Sequence, residues 1–298
     1  MAAGALWRFE AIGTVWEIAT STPLEPSARG EVERCIATFD AVWSRFRTDS
    51  VVTALAPDGG DASVPVDAAL MLGAFAELSE ATAGAVNPLV GATLAHRGYD
   101  AGYSFVDRGP VAAPAHWQEL LQWDDERMVL RGPATIDVGA LGKGRLVDLV
   151  LGVVAAHVSG DIVVDAGGDL ATRGAPVRVG LEHPYDPGRA IGVWDVTDAA
   201  LCASAVNRRA WGDGLHHVLD ARTGAPVRTI AATWAVASGT SSDAMRADAI
   251  ATALFFDGGA EVAARWNVSW VRMYTDGRVE WSPGCRAELF SRTANVEG

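Results

Sequence analysis

The sequence predicts an α+β fold with a largely antiparallel sheet. Three observations point there. Short β-type runs stand beside one another in the chain, as at residues 192–198 and 200–204. A turn at Asp276-Gly277 splits residues 268–281 into a hairpin. Helices with apolar residues at three- and four-residue spacing are interspersed among these runs.

Residues 6–20 read as one or two strands, broken at Gly13. Residues 27–47 form an amphipathic helix, with Val32, Cys35, Ile36, Phe39, Val42, Trp43 and Phe46 on one face. Residues 56–63 are a Gly/Asp-rich loop, and 66–83 a second helix with Gly84 as its C-cap. Asn87-Pro88 and a loop at 97–103 follow. A β-type run (Thr135, Ile136, Val138) then enters the glycine-rich turn 137–148, DVGALGKGRLVD. An apolar helical run leaves it: Leu146, Val147, Leu149, Val150, Val153, Val154. Residues 161–165 are a strand running into Ala166-Gly167-Gly168-Asp169, and 177–181 a strand ending at His183-Pro184. Segments 192–198 and 200–204 are expected to be antiparallel neighbours. A short strand at 216–219 leads into a turn at 220–224, and 233–238 is a further strand. Residues 242–256 form a helix with Ser242 as N-cap and Asp257-Gly258 as its stop. No internal repeat or long linker interrupts the chain, so residues 1–298 are expected to form a single domain.

At 298 residues, 49% of them apolar, the chain can bury a substantial core. The net charge of −13 argues against a nucleic-acid partner, which needs a basic surface. A polyanion would need a locally basic pocket. Cys35, Cys202 and Cys285 are odd in number and far apart, so neither a zinc site nor a disulfide framework is expected. No stretch is long and apolar enough for stable membrane insertion. The N-terminal residues hold no basic region followed by an apolar run and no lipidation cysteine, so a cytoplasmic location is expected.

Four stretches carry possible chemistry. In the turn 137–148, Gly139, Gly142 and Gly144 would let the backbone turn sharply and approach a ligand. The following helix N-terminus and Lys143 favour an anion, so a phosphate or diphosphate is expected; a glycine-rich turn without a ligand is the alternative. Asp248 and Thr252 are four apart on one helix face and offer two hard oxygens, suited to Mg²⁺ or Ca²⁺. Alternatively, Thr252 bonds back to the Asp248 carbonyl. His216 and His217 would point to opposite faces of a strand, and one of them could be a general base, or 220–224 is simply a hydrogen-bonded turn. At 165–169 the glycines admit either a ligand or another backbone.

Taken together, the chain resembles the ApbE family of FAD:protein FMN transferases. The matching stretches are AIGT (11–14), SRFRTDS (44–50), TAGAVNP (82–88), DVGALGKGRLVD (137–148), DAGGDLATRG (165–174), VGLEHP (179–184), ASAVNRR (203–209), HHVLDARTGAPV (216–227) and ADAIATALFFDG (247–258). The resemblance implies a two-lobed mixed fold with FAD between the lobes and a divalent metal, usually Mg²⁺. It implies cleavage of FAD at the diphosphate, a phosphoester between FMN and a Ser or Thr of a target protein, and release of AMP. FAD diphosphatase activity (FAD to FMN and AMP) and non-catalytic FAD binding are the alternatives.

Carried onto this sequence, the resemblance assigns the metal to Asp248, Thr252 and the carbonyl of Ala140. It assigns FAD contacts to Asp137 and Lys143, to Ile12, Phe46 and Leu219, and to Arg97, Gly98 and Tyr99. For the base that takes the proton of the target hydroxyl, His217 is the candidate and Asp220 its rival. The chain departs from the family's usual residues at Ile12 (Met), Phe46 (Tyr), Ala54 (Asn), Val86-Asn87 (Phe-Asp) and Ala140 (Gly).

Overall fold

The computed structural model describes residues 4–290. Strands β1 (Ala5–Ala11) and β2 (Thr14–Thr20) form a hairpin. Its two-residue turn, Ile12-Gly13, is left-handed at both positions, with φ of 46° and 74°. Helix α1 (Pro26–Trp43) buries Val32, Ile36, Phe39 and Trp43. It ends short of the expected bound, at Ser44, whose backbone is extended. Ser50 accepts from the Thr53 N–H and so caps α2 (Val51–Leu55). The loop expected at 56–63 is partly a strand, β3 (Gly60–Ser63). Its alternation is masked by glycine and aspartate, and it is held by a distant partner.

Helix α3 (Ala68–Ala81) ends through two left-handed residues, Ala83 and Gly84, and the Gly84 N–H donates to the Ser79 carbonyl at 2.7 Å. Helices α4 (Gly91–His96) and α5 (Trp117–Leu120) precede β4 (Leu121–Trp123) and β5 (Arg127–Leu130). Strand β5 pairs with both β3 and β4. The β-type run at 135–138 joins no sheet; the Asp137 N–H donates to the Pro88 carbonyl at 2.8 Å.

Helix α6 (Gly142–His157) leads to β6 (Ile162–Asp165), β7 (Asp169–Arg173), β8 (Val177–His183), β9 (Asp186–Val196) and β10 (Ala199–Ala205). Four two-residue strands follow: β11 (Ala210–Trp211), β12 (Leu215–His216), β13 (Leu219–Asp220) and β14 (Ala225–Pro226). The strand expected at 216–219 is therefore broken at His217-Val218. The chain closes with β15 (Ile230–Ser238), α7 (Asp243–Ala253), α8 (Gly259–Arg265), β16 (Ser269–Tyr274), β17 (Val279–Trp281) and β18 (Glu288–Leu289).

The main sheet has eight strands in the order β1-β2-β6-β7-β10-β15-β16-β17, every neighbour antiparallel. Segments 192–198 and 200–204, expected as neighbours, lie in different sheets. Both edges of β10 are taken by β7 and β15, while β9 pairs with β8 and β18. Asp198, with φ of 45°, redirects the chain between them.

Alternation along β10 shows how the main sheet is covered. Ala200 and Cys202 face a core shared with α1, α3, α6 and α7, whereas Leu201 packs with Leu181, Trp194 and Trp234 under the small β8–β9–β18 sheet. A third cluster joins Leu94, Tyr99, Trp211, Leu215 and Leu219, with Phe46 against it. Among the described residues, no helix is long and apolar enough to cross a membrane.

Candidate functional site

Helices α6 and α7 hold each other by their first turns. The leading N–H groups of a helix lack intrahelical acceptors. The Gly144 N–H of α6 donates to Asp248 Oδ2 on α7 at 2.8 Å. In exchange, Asp148 of α6 accepts from the Ala244 and Met245 N–H groups of α7, both at 2.9 Å. Ser242, expected to cap α7 with its side chain, makes no such bond; Asp148 does that work instead. The helices can approach this closely because Gly144 has no side chain: a Cβ there would sit 2.2 Å from the Ala244 carbonyl oxygen. Gly139, Gly142 and Gly144 are thus not needed for unusual backbone angles, since none has a positive φ. At Gly142 and Gly144 glycine is required by close contact; a Cβ on Gly142 would meet Val138 Cγ2 at 2.8 Å. At 165–169, Gly167 and Gly168 take left-handed angles, with φ of 70° and 106°; a Cβ on Gly167 would lie 2.2 Å from the Thr14 side-chain oxygen on β2, and both glycines also line the adjoining cavity.

Beside this helix pair opens a cavity of about 1170 Å³. Its walls include Ala140, Asp248 and Thr252 together with Lys143, Asp137 and His217. Ile12, Phe46, Tyr99 and Leu219 line it as well. Asp248 is 4% exposed. Burial, reinforced by Asp169, raises its carboxyl well above the usual range, against the opposing pull of Lys143 and the Gly144 N–H. Thr252 is partly exposed on the wall, and its hydroxyl makes no hydrogen bond among the described residues, including none back to the Asp248 carbonyl.

Lys143 is on the wall, but its ammonium is already paired with the buried carboxylate of Asp169 and lies 3.4 Å from the Ala166 carbonyl. Asp137 accepts from the Arg45 guanidinium and, at 2.7 Å, from the Gly139 N–H. Arg45 also donates to the Tyr99 carbonyl at 2.8 Å and sits over the Phe46 ring at 4.2 Å. The aromatic end of the cavity is completed by Tyr103, stacked on Phe46 with ring centroids 5.4 Å apart.

His217 is on the wall, its Nδ1 buried without a partner and its backbone N–H donating to the Arg209 carbonyl at 3.2 Å. Burial, with the neighbouring Arg209 and His216, pushes its imidazole down to about 3. It is therefore neutral near pH 7, with a free ring nitrogen, and by itself a weak base; to act as a general base its pKa must rise when an anionic ligand binds beside it. His216 is engaged elsewhere, its Nε2 2.8 Å from the Val227 carbonyl.

Three expected site residues are not on the wall. Asp220 holds the Arg222 guanidinium at 2.6 Å and the Arg222 N–H at 2.9 Å. Arg97 pairs with Asp107 at 3.1 Å, and its carbonyl accepts from Trp211 Nε1. Gly98, with φ of 98°, lets residues 105–106 cross it: a Cβ would be 2.6 Å from the Val106 nitrogen. Arg97 and Gly98 shape the segment behind Tyr99.

The sequence model of the ApbE family matches residues 12–271. The chain belongs to the ApbE family. The FAD:protein FMN transferase of Treponema pallidum (strain Nichols) is 30% identical over 264 residues, covering 77% of this chain and 71% of that protein. A protein of the same name from Rhodobacter capsulatus is 31% identical over 165 residues, covering 52% of this chain and 31% of that one. The crystal structure of the ApbE protein from Thermotoga maritima superposes with a TM-score of 0.80 at 23% identity, covering 94% of this chain and 97% of that chain. The flavin transferase ApbE of Vibrio cholerae gives 0.75 at 19% identity, covering 95% and 98%. These structural likenesses establish the ApbE fold: α+β with mostly antiparallel sheets.

Within this ApbE-family chain, sequence reading missed four participants. Arg45, Asp148 and Asp169 each sit inside a quoted motif, yet their roles depend on partners 92, 96 and 26 positions away. Arg209, the fourth, closes the stretch ASAVNRR. The only local signal for Asp169 was a carboxylate directly after two glycines.

Proposed function

We propose that the cavity binds FAD with a divalent cation, Mg²⁺, at its polar end, and that Asp248, Thr252 and the Ala140 carbonyl hold that cation. The chain is an FAD:protein FMN transferase, in keeping with its family and its curated relatives. The observation that carries the metal reading is the state of the three candidate ligands on one wall. Asp248 has one oxygen committed to Gly144, Thr252 has an uncommitted hydroxyl, and Ala140 lines the same cavity. A carboxylate, a hydroxyl and a carbonyl are hard oxygen donors, the kind that suit Mg²⁺.

When bound, the cation would neutralise the diphosphate charge and stabilise charge building up in phosphoryl transfer. Phe46, Tyr99, Tyr103 and Ile12 offer apolar surfaces for the isoalloxazine ring at the other end. The target's Ser or Thr oxygen attacks the phosphorus of the FMN half. The P–O bond to AMP breaks, a new phosphoester forms, and neutral His217 accepts the hydroxyl proton. The target itself lies outside the chain; we infer a protein with an accessible Ser or Thr. We propose a cytoplasmic location, which cell fractionation would check.

Incubation of the purified chain with FAD, Mg²⁺ and a candidate target, followed by mass spectrometry of the target, tests the reaction. A gain of one FMN phosphoester with release of AMP is expected. Release of FMN and AMP with no modified target would instead indicate the diphosphatase. Unchanged FAD would indicate binding alone.

A further inference from the structure

Several of the anchors that the sequence offers for a phosphate are already in use inside the protein. The Lys143 ammonium is paired with Asp169. At the start of α6, the Gly142 N–H donates to the Val138 carbonyl and the Gly144 N–H to Asp248. The remaining cations on the cavity wall are arginines, and three of the four are also neutralised. Arg45 pairs with Asp137, Arg47 with Asp40 at 3.1 Å, and Arg208 with Glu182 at 3.0 Å. Arg209 lines the same cavity and, among the described residues, has no carboxylate partner.

Arg209 is an exposed residue on the cavity wall, and two contacts place it. Its carbonyl accepts from the His217 N–H, and its guanidinium carbon lies 5.9 Å from the Tyr99 ring centroid. It therefore stands between the proposed base and the aromatic end. On the opposite side of the balance, Asp248 is the wall carboxylate without a salt-bridge partner. One uncompensated acid and one uncompensated base suit a ligand that brings a cation and a phosphate together.

We infer that Arg209, rather than Lys143, is the side chain that grips the phosphate groups of the flavin nucleotide. The inference rests on the FAD reading proposed above. A guanidinium offers a planar fork of donors that matches phosphate oxygens in pairs. An ammonium locked to a buried carboxylate has little left to give.

The test is a titration of FAD, FMN and riboflavin into wild type, Arg209→Ala and Arg209→Lys, with EDTA present, followed by calorimetry or flavin fluorescence. Arg209→Ala should weaken FAD and FMN roughly ten- to hundredfold, the loss expected for a charge-assisted contact. Riboflavin, which has no phosphate, should change by less than about twofold, and this also reports that the variant is folded. Arg209→Lys should recover part of the loss, since it keeps the charge and loses the fork. Ordinary FAD affinity in Arg209→Ala, or an equal loss for riboflavin, would overturn the assignment and leave the FAD reading standing. A wild-type protein that binds none of the three flavins would overturn both.

Discussion

The Gly144 backbone N–H and the Asp248 carboxylate are joined at 2.8 Å, which ties the start of one helix to the proposed metal ligand on the next. A methyl group at position 144 would meet the Ala244 oxygen at 2.2 Å and Asp248 Cβ at 2.7 Å, so α7 would have to move. Gly144→Ala is expected to cost about 1–3 kcal/mol in stability through overpacking, and to weaken Mg²⁺ binding as well. Gly152→Ala, on the same helix with nothing within 4 Å of its Cβ, is the control. It should be stabilising by about 0.5–1 kcal/mol in denaturant melts.

Asp148 completes the exchange between the two helices, and its carboxyl is pushed up to about 7 by burial, against the two N–H bonds it accepts. In the unfolded chain an aspartate ionises near ~3.9. Between these values the folded form keeps a proton that the unfolded form has lost. This group's contribution to stability therefore falls as pH rises from about 4 to about 7, and is level above that. Asp148→Asn should flatten that part of the stability–pH curve, read from urea melts with EDTA present. The raised carboxyls of Asp165 and Asp248 persist in the variant, so the comparison isolates Asp148. An unchanged slope would mean that Asp148 is ionised throughout the window.

Lys143 and Asp169 form a pair in which Asp169 is 1% exposed. Removing the lysine would strand a buried carboxylate. Lys143→Met should cost roughly 3–5 kcal/mol, the range for breaking a buried pair by one partner. Lys143→Met combined with Asp169→Asn should recover much of that in equilibrium unfolding. If Lys143→Met keeps full stability and loses only FAD affinity, the ammonium's main partner is the ligand.

His217 is half-buried on the cavity wall, its Nδ1 buried and free, whereas Asp220 is occupied by Arg222. His217→Ala should slow FMN transfer roughly 10²- to 10⁴-fold while leaving FAD affinity within about twofold. Asp220→Asn should leave the transfer rate close to wild type. Single-turnover rates with saturating FAD check both; a reversed order of the two variants would move the base to Asp220.

Local patterns made much of this legible. The Asp248/Thr252 pair follows from four-residue spacing on a helix, and the β16–β17 hairpin from Asp276-Gly277. The placement of β10 between β7 and β15 does not, because strand order is set by distant partners rather than by neighbours in the chain. Likewise Lys143 reads as a free positive charge until Asp169 is seen beside it. Gly144 reads as a flexible turn residue until α7 is found packed against it. The segment at 135–138 has strand-like residues, yet its backbone is held by Pro88 outside any sheet. Residue types at the site were visible, and which of them neutralise one another was not.

Asp248→Asn tests the central claim most directly, because it keeps the side chain's shape and removes the one full negative charge among the proposed metal ligands. Mg²⁺ binding by calorimetry, alongside FMN transfer from FAD at increasing Mg²⁺, is the measurement. The account predicts a folded protein with no measurable Mg²⁺ binding and no transfer, and less rescue by excess Mg²⁺ than in Thr252→Ala. Ordinary Mg²⁺ affinity and ordinary Mg²⁺-dependent transfer in Asp248→Asn would contradict it.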